Sequence, residues 1–253
     1  MQGILTDITK CVGCRKCVGA CQSINACADE KPEQKAQPEE LFNTRYTTIV
    51  RKTNTTSEPR FVRRHCRHCL EPACVSVCPV AALKKTPAGP VIYDKGRCMG
   101  CRYCMFACPF GIPRSEWESL APAIRKCTFC FEKTKNGGQP ACTEACPEGA
   151  TMYGTRESLL VEARTRISNE PDRYLHKIYG EHELGGTSVL YLSDINLDFL
   201  SFDRDLSNVP PPELTWRFIK ETPIISGAVG LSVGFLYWLW KRKLKLSKGT
   251  NEQ

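Results

Sequence analysis

Sixteen of the seventeen cysteines in this 253-residue chain fall into four short groups, and that spacing limits what the chain can fold around. The first group is Cys11, Cys14, Cys17 and Cys21, and the third, Cys98, Cys101, Cys104 and Cys108, repeats its C-x2-C-x2-C-x3-C spacing. The second is Cys66, Cys69, Cys74 and Cys78; the fourth is Cys127, Cys130, Cys142 and Cys146. Both of these open on C-x2-C and close on Pro-Ala-Cys-x3-Cys-Pro-x2-Ala, over 72–82 and 140–150. Cysteine this dense implies either a disulfide framework or metal. Disulfide scaffolds scatter their cysteines among loops, whereas thiolates at gaps of two and three converge on metal.

The order along the chain is type 1, type 2, type 1, type 2, as duplication of a two-motif unit would leave it. Asp7 and Asp94 each stand four residues before the first cysteine of a type 1 group, and Gly13 and Gly100 share one place inside it. In such a motif a short loop wraps one cubane with three sulfurs, and a fourth cysteine, followed by proline, ligates the partner cluster. The spacing predicts that this cysteine, with Pro79, Pro109 or Pro147 after it, starts a helix leading away; Cys21 departs in having Gln22 next. Gly13 and Gly100 are expected to turn closely against inorganic sulfide. Zinc ribbons use two C-x2-C knuckles per metal and do not call for the third cysteine or the Cys-Pro.

Cys78 and Cys98 are joined by a short piece in which 90–94 reads as strand and turn, whereas the long insertion 22–65 separates the first two groups. Groups two and three thus form an inner pair and groups one and four an outer pair. Exchanging the fourth cysteines within each pair predicts four [4Fe-4S] ligand sets: Cys11, Cys14, Cys17 and Cys146; Cys127, Cys130, Cys142 and Cys21; Cys66, Cys69, Cys74 and Cys108; Cys98, Cys101, Cys104 and Cys78. The predicted fold is α+β: two nested bacterial-ferredoxin-like two-cluster modules with insertions, plus one C-terminal transmembrane helix. Residues 1–28 and 120–160 make the outer module, 29–62 an insertion, 63–119 the inner module, 161–218 an extension packed on the core, 219–243 the transmembrane helix and 244–253 a tail. Cys27 reads as an inert packed thiol, and neither His65 nor His68 is needed as a ligand.

The formal charge of +8 treats each cysteine as neutral. Four oxidised clusters would add about −2 each. The excess Lys and Arg therefore reads as compensation for cluster charge and predicts no nucleic-acid partner. Arg45–Arg51 suits a strand with Phe61-Val62 as partner, Thr155 a helix cap ahead of Leu159, Leu160, Ala163 and Ile167, and 187–192 a further strand. There is no catalytic triad, phosphate loop or dinucleotide fingerprint, so the expectation is a non-catalytic chain.

Pro223–Trp240 holds eighteen residues without a charge, about 27 Å as helix against a hydrocarbon core of roughly 30 Å. Thr222 is expected to cap it, with Pro223 in the first turn. Phe235, Tyr237, Trp238 and Trp240 crowd one end, followed by Lys241-Arg-Lys-Leu-Lys245. The positive-inside rule then predicts a single span with its C-terminus cytoplasmic and the cluster domain periplasmic. Ser226, Gly230 and Gly234 recur every four residues, as a helix-packing face would or as ordinary span composition would. The first ten residues carry no signal peptide, so export would depend on a partner or on a longer start.

Taken together, the four groups, Pro72–Pro79, Ala82–Lys85, Tyr93–Lys95, Cys101–Met105, Tyr153–Arg156, Gly185–Thr187 and the terminal helix resemble the membrane-anchored iron–sulfur subunit of respiratory [NiFe]-hydrogenases of the hydrogenase-2 type. The beta subunit of respiratory formate dehydrogenase is nearly as similar, and the resemblance runs from about residue 4 to 245. It implies an electron-transfer subunit of the bacterial inner membrane, with four clusters between a catalytic oxidoreductase subunit and an integral membrane quinone-reactive subunit. It also implies nested pairing of the modules. The alternative is a cytoplasm-facing iron–sulfur component of another membrane-bound molybdenum oxidoreductase. Hydrogenase relatives carry a twin-arginine signal that is not in this sequence, which favours the formate-dehydrogenase-like arrangement.

Overall fold

A computed structural model describes residues 1–53, 58–201 and 207–249, with Arg217 and 244–249 described in backbone only. Residues 250–253 of the expected tail lie outside it, as do the side chains of Leu244 and Lys245 in the basic run. The chain divides into two units, Met1–Pro211 and Pro212–Gln253.

In the first unit, strand β1 (Gln2–Asp7) leads into helix α1 (Lys16–Ile24) and the turn α2 (Pro32–Lys35). The hairpin β2 (Thr48–Thr53) and β3 (Pro59–Arg64) follows, with Val50 opposite Val62. Then come α3 (Ala73–Ser76), β4 (Leu83–Lys85) paired with β5 (Val91–Tyr93), α4 (Tyr103–Phe106), and the two-residue strands β6 (Arg114–Ser115) and β7 (Ile124–Arg125). Helices α5 (Phe131–Thr134) and α6 (Ala141–Glu144), strand β8 (Thr151–Thr155), helix α7 (Arg156–Asn169) and strand β9 (Val189–Leu192) complete the unit. α1 packs against α6, and α3 against α4.

The sheet β8-β1-β9 has β1 at its centre, antiparallel to β8 and parallel to β9. A strand buried on both faces splits its side chains by period two. Ile4, Val189 and Tyr191 face the cysteine-containing core with Phe129 and Val62. Leu5, Leu190 and Leu192 face Leu159, Leu160 and Ala163 of α7. Thr155 caps α7 by accepting the Ser158 amide at 3.2 Å. The extension after residue 160 thus contributes a strand to the central sheet, beyond covering it.

Several expectations need correction. The first strand of the hairpin begins at Thr48, because Arg45 turns inward to an ion pair with Glu30 and both side chains are largely buried. That pair and the turn α2 lie in the first part of the expected insertion 29–62. β9 likewise begins at Val189 rather than Thr187. The short helix at each fourth cysteine precedes it: α3, α4 and α6 end before Cys78, Cys108 and Cys146. The chain then turns, with Ala81, Gly111 and Gly149 donating to the carbonyls of those cysteines at 3.2, 3.0 and 3.4 Å. Proline cannot donate to the helical ladder and clashes with the preceding turn, so Cys-Pro ends a helix. Cys21, with Gln22 after it, lies inside α1, which runs on to Ile24.

Among the described residues the second unit is the helix α8 (Pro211–Gly249), whose first residue ends the first unit and which runs through Pro223. Thr222 is not its cap; its hydroxyl donates to the Phe218 carbonyl at 2.8 Å, one turn back. Such back-bonding occupies a carbonyl next to the break that a missing proline amide leaves in the ladder. Residues 211–243 are long and apolar enough to cross a membrane, and none of their most apolar eighteen-residue window is buried inside the protein.

Candidate metal centres

Each type 1 loop is built the same way. Asp7 accepts the Thr9 amide at 3.1 Å and caps a single 3-10 turn that delivers Cys11. Asp94 accepts the Gly96 amide at 2.9 Å and delivers Cys98. The residue before the second cysteine of every group has positive φ: Gly13 at 72°, His68 at 49°, Gly100 at 74° and Phe129 at 60°. That one left-handed residue curls each C-x2-C around a centre. A Cβ on Gly13 would meet the Phe61 ring at 2.5 Å, and one on Gly100 would meet Pro122 at 3.0 Å. The Cβ direction at these two glycines is thus closed by side chains of neighbouring segments.

No disulfide joins any of the seventeen cysteines. Their neighbours follow from which thiols act on one another electrostatically. Cys11 feels Cys146 and Cys14, and Cys17 feels Cys11 and Cys14. Cys21 lies among Cys127, Cys142 and Cys130. Cys69 feels Cys66, Cys108 and Cys74, and Cys104 feels Cys101, Cys98 and Cys78. Three further electrostatic pairs link these gatherings in a row: Cys17 with Cys142, Cys127 with Cys66, and Cys74 with Cys104. Two enclosed gaps have four thiols each in their walls. Cys11, Cys14, Cys17 and Cys146 line one, and Cys21, Cys127, Cys130 and Cys142 line the other.

The thiols fit a polynuclear group better than a single ion. Among the described residues no three His, Cys, Asp or Glu side chains are placed to hold one metal ion. Burial, reinforced by neighbouring thiols, pushes Cys17 and Cys104 up to about 11 and Cys74 and Cys127 up to about 12. Thiols gathered in this way ionise only if cationic charge is supplied among them, as iron supplies it. Donors already point at sulfur: the Ala82 amide reaches Cys78 at 3.2 Å and the Phe129 amide reaches Cys127 at 3.4 Å.

The cations that sequence reading counted only in bulk have definite places. Arg63, Arg67, Lys85 and Lys126 are buried or half-buried beside the thiols. Burial lowers Lys85 to about 8 against the pull of Cys69 and Cys66, while its Nζ donates to the His68 carbonyl at 3.0 Å. Lys126 donates to the carbonyls of Val91 and Cys127, at 2.5 and 3.0 Å. For Arg63, burial opposes the charge and Cys142, Cys17, Cys127 and Cys21 outweigh it. Nothing in the sequence separates Arg63 from its neighbours Arg60 and Arg64; only burial does.

His65 and His68 are fully buried, and burial holds both well below the ordinary imidazole range. His68 Nδ1 accepts the Val91 amide at 2.9 Å. Cys27 packs at the edge of the cysteine core beside Tyr46 and is raised mainly by burial.

Residues 58–156, which hold the second, third and fourth groups, match the 4Fe-4S dicluster domain family. The chain is 40% identical over 249 residues to the hydrogenase-2 operon protein HybA of Escherichia coli O157:H7, spanning 81% of this chain and 74% of that one. It is 33% identical over 242 residues to the iron-sulfur subunit of the nitrate-inducible formate dehydrogenase of Escherichia coli K12, spanning 92% and 76%. A protein of Nitratidesulfovibrio vulgaris is 39% identical over 256 residues, spanning 97% and 68%.

Proposed function

We propose, for a chain that belongs to the iron–sulfur protein family of HybA and the formate dehydrogenase iron-sulfur subunits, that it is a non-catalytic electron-transfer subunit holding four [4Fe-4S] clusters. The ligand sets are Cys11, Cys14, Cys17 and Cys146; Cys21, Cys127, Cys130 and Cys142; Cys66, Cys69, Cys74 and Cys108; and Cys78, Cys98, Cys101 and Cys104. Bound there, each cluster supplies one-electron transfer at a potential set by burial and hydrogen bonds to sulfur. The observation that carries the reading is the row of thiol neighbours Cys17/Cys142, Cys127/Cys66 and Cys74/Cys104, which runs through all four sets in order. The packing of α1 on α6 and of α3 on α4 supports two modules nested one around the other.

The exposed ends of the row are Cys14 and Cys101. The relatives' names place them with hydrogenase-2 and formate dehydrogenase. By that likeness one end serves a catalytic oxidoreductase subunit and the other a quinone-reactive subunit in the membrane. α8 anchors the chain by one span, its basic end cytoplasmic and its cluster unit periplasmic. Anaerobic iron counting with electron paramagnetic resonance tests this: about sixteen irons per chain are expected, and fewer than about twelve would sink it. The competing reading, a cytoplasm-facing component of another molybdenum oxidoreductase, is separated by protease digestion of oriented vesicles, since residues 1–200 would then be cut from the cytoplasmic side.

A further inference from the structure

The hairpin β2–β3 brings one charged side chain into the row of thiols. Arg63 is 1% exposed. Its side chain lines both four-thiol gaps, that of Cys11, Cys14, Cys17 and Cys146 and that of Cys21, Cys127, Cys130 and Cys142. The groups acting on it come from both sets: Cys142, Cys17, Cys127 and Cys21. Nη2 is engaged against His65 Nε2, whose ring also meets the Tyr191 hydroxyl through Nδ1. Nε and Nη1 are buried with no hydrogen-bond partner among the described residues.

A buried guanidinium with two idle nitrogens, carrying three N–H donors between them, is costly unless acceptors receive them. Arginine presents its donors in a planar fork, so one side chain can serve acceptors on two sides. We propose that Arg63 is a shared donor to the two adjacent clusters of the outer module, raising the reduction potentials of both together. Hydrogen bonds and positive charge near cluster sulfur favour the reduced, more negative form. Arg63 donates hydrogen bonds to both clusters and ligates no iron.

The proposal rests on the four-cluster reading, so the iron content of the wild-type chain, purified anaerobically with its native partners, is measured first. A count below about twelve defeats that reading, and this proposal with it, before any substitution is made. With about sixteen irons present, Arg63→Gln is expected to lower two of the four midpoint potentials. Each should fall by at least tenfold in the one-electron reduction constant, about 59 mV, with the other two unmoved. Arg63→Lys, which keeps the charge, should recover most of the loss. Four unchanged potentials in an iron-replete Arg63→Gln chain overturn the proposal, as do four that move alike. Should that variant bind less iron, wild-type protein labelled with 15N-arginine decides. Guanidinium nitrogen coupling to both clusters of the outer module in pulsed electron paramagnetic resonance supports the proposal, and coupling to one or neither of them overturns it.

Discussion

The Tyr93 hydroxyl accepts the Ile124 amide at 3.1 Å and lies beside Cys98, whose sulfur helps to hold its proton in place. The ring is held between β5 and β7, so this donor is preset against the outermost thiol loop. Removing it with Tyr93→Phe takes away about 1 kcal/mol that favours the reduced state, roughly 40 mV for one electron. Redox titration followed by electron paramagnetic resonance should show one potential falling and three unchanged.

Asp7 and Asp94 occupy equivalent places in the repeat but not equivalent environments. Asp7 is 1% exposed, pairs with Arg166 at 2.9 Å and receives the Tyr174 hydroxyl at 2.9 Å. Asp94 is half exposed and pairs at 3.3 Å with the equally exposed Arg97. Asp7→Ala leaves Arg166 only the more exposed Glu162, takes the acceptor from the Tyr174 hydroxyl and loses a cap, and should cost about 3 kcal/mol. Asp94→Ala loses chiefly the cap, about 1 kcal/mol. Thermal unfolding under anaerobic conditions compares the two; equal losses would contradict the role given to burial.

Exchange of fourth cysteines makes a pairwise spectroscopic prediction. Cys21→Ser and Cys127→Ser should alter the same cluster signal, while Cys17→Ser and Cys146→Ser should alter a different one. If Cys21→Ser instead changes the signal touched by Cys17→Ser, each group holds its own cluster.

The terminal helix offers a test that needs no iron. The full chain should resist alkaline carbonate extraction from membranes, and a chain ended at Pro211 should be released in soluble form with its iron. Release of the full chain by carbonate would contradict a membrane span.

The local rules were largely readable. Val50 and Val62, β-branched residues in short runs, face each other across the hairpin. Thr155 caps the helix whose Leu159, Leu160 and Ala163 are buried. Helix direction at the cysteines was not readable from spacing alone, since C-x3-C suits a helix on either side of the proline. The competing effect that decides it is the clash a proline makes with the preceding turn. Thr222 misled for a related reason. Thr before Pro is a helix-start signal, but inside a long apolar helix the hydroxyl can bond back to Phe218.

By itself the sequence determined that thiols gather in four loops, because two- and three-residue gaps set sulfur positions through the backbone of a single turn. The tertiary structure decided what surrounds them. Residues 2–7 and 189–192 lie side by side only because β1 enters the centre of the sheet. Arg63 reaches two loops only because the β2–β3 hairpin folds inward, which no spacing rule encodes. Sulfur spacing is a short-range property of bonds and dihedrals, whereas the burial of a charge depends on every segment packed around it.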